Sequence, residues 1–172
     1  MSLPTLKIAG IEIPLEVYPV SQGYSRVDGG SSLLRKMNGA GLEQTNWSRL
    51  ATKISGKGWA PVALAGVDWS AAVQIDCVQP RAIASATNSA TLPTARRSDL
   101  TDNVFARAIV ASRLVETPVS LAGDVATATA VTGATGYQFH YYPKLSCISR
   151  GPVEDLDLET GSYGWSLDAQ EV

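Results

Sequence analysis

The chain is predicted to be all-β: a split β-barrel or β-sandwich of short antiparallel strands, with at most one short helix. Three observations predict this. Apolar residues recur at every second position, in Ile11, Ile13, Leu15 and Val17 and again in Tyr137, Phe139 and Tyr141. Turn signals built on glycine divide the chain into strand-length pieces, about nine or ten of them at roughly 8–12-residue spacing. Ala, Ser, Thr, Gly and Val are abundant, and 45% of the 172 residues are hydrophobic, enough for a real core.

The first strand, Leu6-Lys7-Ile8, turns back at Ala9-Gly10 into the alternating run from Ile11. Pro14 cannot donate to a ladder, which places that strand at an edge or at a bulge. Asp28-Gly29-Gly30 and Asn38-Gly39 are turns, because glycine tolerates positive φ. Residues 24–27 and 32–37 between them form a meander of short hairpins. A helix competes over 43–50, but Leu50, Thr52 and Ile54 alternate with Ala51, Lys53 and Ser55, which favours a strand ending at Gly56. A turn follows, and Pro61 holds Ala60 extended. After a loop at 66–70, Val73, Ile75 and Cys77 face one side of a half-buried strand, with Cys77 a small core residue.

Residues 84–103 are small and polar with one proline, and read as a linker or long exposed loop. They divide a barrel-like front part, 1–93, from a β-rich back part, 94–172, either as two units or as one continuous domain. Helical and strand patterns compete over 103–116, and the β-rich surroundings favour strand. Turns at Ala122-Gly123-Asp124 and at 133–136 bound two further strands. Pro143 ends or kinks the aromatic strand, and Gly164-Trp165-Ser166-Leu167 forms the last one.

The stretch ISGKGWAP, residues 54–61, invites a phosphate-loop reading and fails it. A P-loop needs a glycine where Ala51 stands and a hydroxyl residue where Gly58 stands. The dinucleotide fingerprint would need a third glycine at Pro61. His140 is the sole histidine, and it sits mid-strand. Cys77 and Cys147 have no zinc-ligand spacing, and no G-x-S-x-G elbow is present. The acidic run from Glu154 lacks the glycine and glutamate of a calcium loop. Paired carboxylates brought together by the fold stay open, and a cell-wall hydrolase would use them. The expectation is a non-enzyme with no catalytic residues, cofactor or metal.

Net charge of −2 gives no reason to expect nucleic acid or membrane as a partner. No apolar run approaches the roughly 20 residues of a spanning helix. The start, MSLPTLKIAG, lacks the charged-then-apolar pattern of a signal peptide, so folding in a cytoplasm with reduced thiols is expected. Charge is unevenly placed. Residues 26–113 hold 11 basic and 6 acidic side chains, whereas after Arg150 there are 6 acids (Glu154, Asp155, Asp157, Glu159, Asp168, Glu171) and no base. These are two solvated faces of a monomer, or the two sides of a head-to-tail contact that builds a ring. Of the four tryptophans, Trp47 and Trp165 are expected in the core. Trp59 and Trp69 flank Gly- and Pro-rich loops, where they suit a sugar-binding groove or a subunit contact.

Several phrases carry a family resemblance: Gln22-Gly23-Tyr24, Gly29-Gly30-Ser31, Leu34-Arg35-Lys36-Met37-Asn38-Gly39, the run 54–61, Cys77, Pro80-Arg81, Gly133-Ala134-Thr135-Gly136-Tyr137, Tyr141-Tyr142-Pro143 and the ending from Gly164 to Val172. Together they resemble small virion proteins encoded among the tail genes of long-tailed bacteriophages. The resemblance implies a β-rich subunit, a split barrel with an added β-sandwich, assembled in a ring at the distal tail or baseplate or, as second choice, in the tail tube. It implies contacts with copies of itself and with other tail proteins, in a virion assembled in the host cytoplasm. The expected interface comprises Lys57, Trp59, Pro61 and Trp69 together with Glu154, Asp155 and Asp157. The competing expectation is a carbohydrate-binding adhesion module that stacks sugars on Trp59, Trp69 and Tyr141 or Tyr142.

Overall fold

A computed structural model describes residues 4–14 and 19–172. Over these residues the chain forms seventeen strands and no helix. They are β1 (Leu6–Ile8), β2 (Ile11–Ile13), β3 (Val20–Arg26), β4 (Ser31–Arg35), β5 (Gly41–Thr45), β6 (Leu50–Gly58), β7 (Val73–Asp76), β8 (Arg81–Ser85), β9 (Ser89–Thr91), β10 (Val104–Val110), β11 (Arg113–Thr117), β12 (Val119–Ala122), β13 (Val125–Ala128), β14 (Ala134–Tyr141), β15 (Lys144–Ser149), β16 (Val153–Asp157) and β17 (Ser162–Glu171). The protein is therefore all-β, and among the described residues no sheet closes into a barrel. The expected alternation at Leu15 and Val17 lies outside the described residues.

The strands divide into two compact units, 1–6 with 76–145 and 7–75 with 146–172. Each unit is discontinuous in sequence, unlike the consecutive parts 1–93 and 94–172 expected from composition.

In the second unit the main sheet runs β2-β1-β7-β15-β17-β6-β3, with β16 paired to β17 beside β15. β2 is an end strand, which accommodates Pro14 just after it. Ala9 and Gly10 both have positive φ, 52° and 79°, and close the two-residue β1–β2 hairpin. The ten-residue β17 organises the rest. One of its edges pairs with β6 from Tyr163↔Gly58 to Gln170↔Ala51. The other is shared by β15 and β16, which meet at Gly151. Ile54, Trp165, Leu167 and Ala169 are buried on one face of these strands.

In the first unit a four-stranded sheet, β11-β10-β14-β8, and a three-stranded sheet, β12-β13-β9, bury one shared cluster. Tyr137, Phe139 and Tyr141 enter it from β14, Ala106 and Ala108 lie beside them on the neighbouring β10, and Ala126 and Ala128 come from β13 of the other sheet. The small alanines leave room for the large rings, as in a sandwich core. The segment over which helix and strand patterns compete forms the β10–β11 hairpin. Its turn residues Ala111 and Ser112 take positive φ (46° and 63°) without glycine.

Residues 84–103 are not a linker. They contain β9 and the end of β8, they bury Leu92, and they fix two arginines. Arg96 donates to the Asp124 carboxylate at 2.7 Å and to the carbonyls of Pro93 and Gly123. Arg97 is 0% exposed. Its guanidinium forks onto both Asp99 oxygens, at 2.9 and 2.8 Å, and donates to the Thr5 and Cys77 carbonyls at 2.6 and 3.0 Å. A buried cation is tolerable when it is paired and hydrogen-bonded, and each of the three guanidinium nitrogens of Arg97 donates at least once. Composition signals a loop here because these contacts are polar.

Candidate functional site

Gly56, Lys57 and Gly58 are the last residues of β6 and not part of the turn expected after Gly56; the strand runs two residues past that expected end. The glycine has a packing reason. Trp165 lies directly opposite Gly56, and a Cβ on Gly56 would stand 2.7 Å from the indole Nε1. The ring thus covers the bare backbone, a cross-strand pair that compensates the glycine. Two other indoles cover glycines outside the strand ladders. Trp69 lies over Gly151, whose φ is 92°, and Trp47 lies over Gly30. Trp165 is in the core as expected. Trp47 is instead substantially exposed, because Gly30 belongs to the base of an outlying hairpin rather than to the main sheet.

Lys57 points to the face opposite Trp165. Across β17 it pairs with Gly164, and Gly164 pairs in turn with Asp155 on β16. A Cβ on Gly164 would lie 2.5 Å from Asp155 Oδ1, so this glycine leaves space for the Asp155 carboxylate. Lys57 Nζ is 3.9 Å from Asp157 Oδ2. Two stretches about a hundred residues apart thereby meet on one surface. Lys53 and Asp168, 3.8 Å apart, extend the same row of exposed charges. Such solvated, salt-screened pairs contribute little to stability. Their arrangement suits recognition more than stability.

Asp157 is held deprotonated by its own loop. It accepts from Thr160 Oγ1 at 2.6 Å and from the Thr160 and Glu159 amides. These bonds, led by the Thr160 hydroxyl and with Lys57 as the weakest cause, hold its carboxyl below the usual carboxylate range. It is correspondingly unsuited to donating a proton near neutral pH. Glu154 lies opposite Trp165 on the other side of β16 from Asp155.

Trp59 follows β6 and is 73% exposed, with Pro61 also exposed just beyond it. The aromatic groups expected as sugar platforms are dispersed: Tyr141 and Tyr142 are buried, and Trp69 is occupied by Gly151. A shallow depression beside Lys57 is lined by Pro19, Val20, Ser21, Ser55 and Gly56. In the first unit His140 stacks on Phe105, with ring centroids 4.5 Å apart and planes within 2°, and Arg107 lies over the same Phe105 ring. Burial, and then the Arg107 charge, hold the imidazole below its usual range. Among the described residues no three His, Cys, Asp or Glu side chains converge as a metal site.

The most exposed apolar group lies outside the expected interface. All ten residues of β4 and β5 are exposed, and this two-stranded sheet pairs with no other strand among the described residues. Leu33, Leu34, Met37 and Leu42 stand in solvent. One signal for this is legible in the chain. Adjacent Leu33 and Leu34 must point to opposite faces of a strand, so a strand with one wet face exposes one of them. No family model matches the chain, and neither a curated protein nor a solved structure is similar to it.

Proposed function

We propose that this chain is a structural virion subunit of a phage tail tip or baseplate, a distal-tail or tail-ring component that assembles with copies of itself and works without catalysis. The observation that supports this reading most is the β4–β5 hairpin. A free two-stranded hairpin is marginal in water, and this one exposes leucines on both faces. Contiguous exposed apolar surface marks a place where another protein sits. The open charged surface of Lys57, Asp155 and Asp157, with exposed Trp59 beside β6, adds a second region suited to docking. The tail assignment rests on the sequence resemblance, with other tail proteins as further partners.

Native mass spectrometry and negative-stain electron microscopy of the purified chain test the reading. Closed rings of a fixed copy number are expected. A chain that remains monomeric at the highest attainable concentration contradicts it.

A further inference from the structure

We infer that the β4–β5 hairpin of one copy docks on the outer edge of β16 in the next. This inference rests on the self-assembly reading above and names the two surfaces that carry it.

The hairpin has three properties that call for a partner. Each of its strands has one edge with no ladder partner among the described residues. Leu34 and Leu42 form a directly opposed apolar pair on one face, and Leu33 projects from the other at 71% exposure. The turn adds Met37 and the cations Arg35 and Lys36, with Arg26 and Arg49 at the base. Trp47 against Gly30, and the Asn46 amide donating to the Gly30 carbonyl at 2.8 Å, pin that base.

The chain itself carries the complementary surface. β16 pairs only with β17 among the described residues, so its outer edge presents backbone groups for strand addition. Val153 and Leu156 are exposed on opposite faces of β16, and Leu158 just beyond its end is 85% exposed. Glu154, Asp155, Asp157 and Glu159 surround them. An apolar hairpin with a basic tip therefore meets an apolar edge with acidic flanks. Opposite charge fixes the register and steers encounter, while the leucines supply buried area. The two surfaces differ, so the contact is head-to-tail and propagates until a ring closes.

Paired charge reversal tests this. One variant carries Arg35→Glu and Lys36→Glu, and a second carries Glu154→Lys and Glu159→Lys. All four positions are exposed, and circular dichroism with thermal melting checks that each variant folds. Analytical ultracentrifugation is then run on wild type, each variant and their equimolar mixture. The wild type is expected to assemble, and each variant alone to self-associate at least about tenfold more weakly. The mixture should regain assembly, because acidic hairpins then face basic edges and basic hairpins face acidic edges. Wild-type assembly that both variants retain overturns the docking contact and leaves self-assembly standing. Wild-type chain that never assembles overturns both. A monomeric chain whose hairpin instead binds anionic vesicles through Arg35 and Lys36 assigns the arm to a membrane.

Discussion

Arg97 has no exposed surface, whereas Leu33, on a strand, is 71% exposed. The two residues lie in separate units and reverse the usual placement of charge and hydrocarbon. Around Arg97 the polar groups are used within the chain: a forked carboxylate and a set of main-chain carbonyls take its donors. Around Leu33 the only strand partner among the described residues is the other half of its own hairpin. Burial is thus governed by whether partners exist, not by hydropathy alone. Arg97 is met by acceptors within its own chain, whereas the leucines of the open-edged hairpin stay in solvent.

The largest effect is expected from breaking the complete side. Arg97→Ala should destabilise the protein by about 2–4 kcal/mol, because it takes the donor from the Asp76 and Cys77 carbonyls where they are buried against the guanidinium. Urea denaturation measures this, and Arg97→Lys should recover only part, since an ammonium cannot fork onto Asp99. Gly56→Ala comes next. Its methyl would press on the Trp165 indole, for about 1–3 kcal/mol of overpacking strain. Leu34→Ser with Leu42→Ser should change monomer stability by no more than about 0.5 kcal/mol per site, while self-association weakens sharply. That split between folding and assembly separates an arm from a core hairpin. Lys57→Ala, which removes one solvated pair with Asp157, should leave the thermal midpoint nearly unchanged.

Acidification acts first on His140. The folded-state pKa of His140 lies below its usual 6.5, so folding disfavours the protonated form. Its stabilising share is fully present above about pH 6.5 and is lost as pH falls from there through the folded value. The thermal midpoint should therefore drop on acidification below neutrality, and His140→Phe, which keeps a ring on Phe105, should flatten that drop. Asp157 and Asp68, both held low mainly by hydrogen bonds from Thr160 and Ser70, lose their share only below about pH 3.8.

Much of the fold is legible along the chain because period-two patterns and glycine turns are local. The Ile11–Ile13 run, the edge position implied by Pro14, and the buried face of Tyr137, Phe139 and Tyr141 all follow from neighbours in sequence. The turn at Ala111-Ser112 is not legible, because neither residue advertises positive φ. Residues 84–103 mislead for a related reason: Arg97 is buried by carbonyls contributed at Thr5 and Cys77, distant in sequence. The interface candidates show the same limit. Lys57 and Asp157 come together only because β17 pairs with both β6 and β16. The role of Gly56 is likewise hidden until Trp165 is placed across from it.

The claim that the β4–β5 hairpin is an assembly arm is tested most directly by hydrogen–deuterium exchange at rising protein concentration. Amides of residues 31–45 should exchange fast in the dilute monomer and slow markedly, together with those of β16, as assemblies form. Assembly that leaves exchange in residues 31–45 unchanged would contradict it.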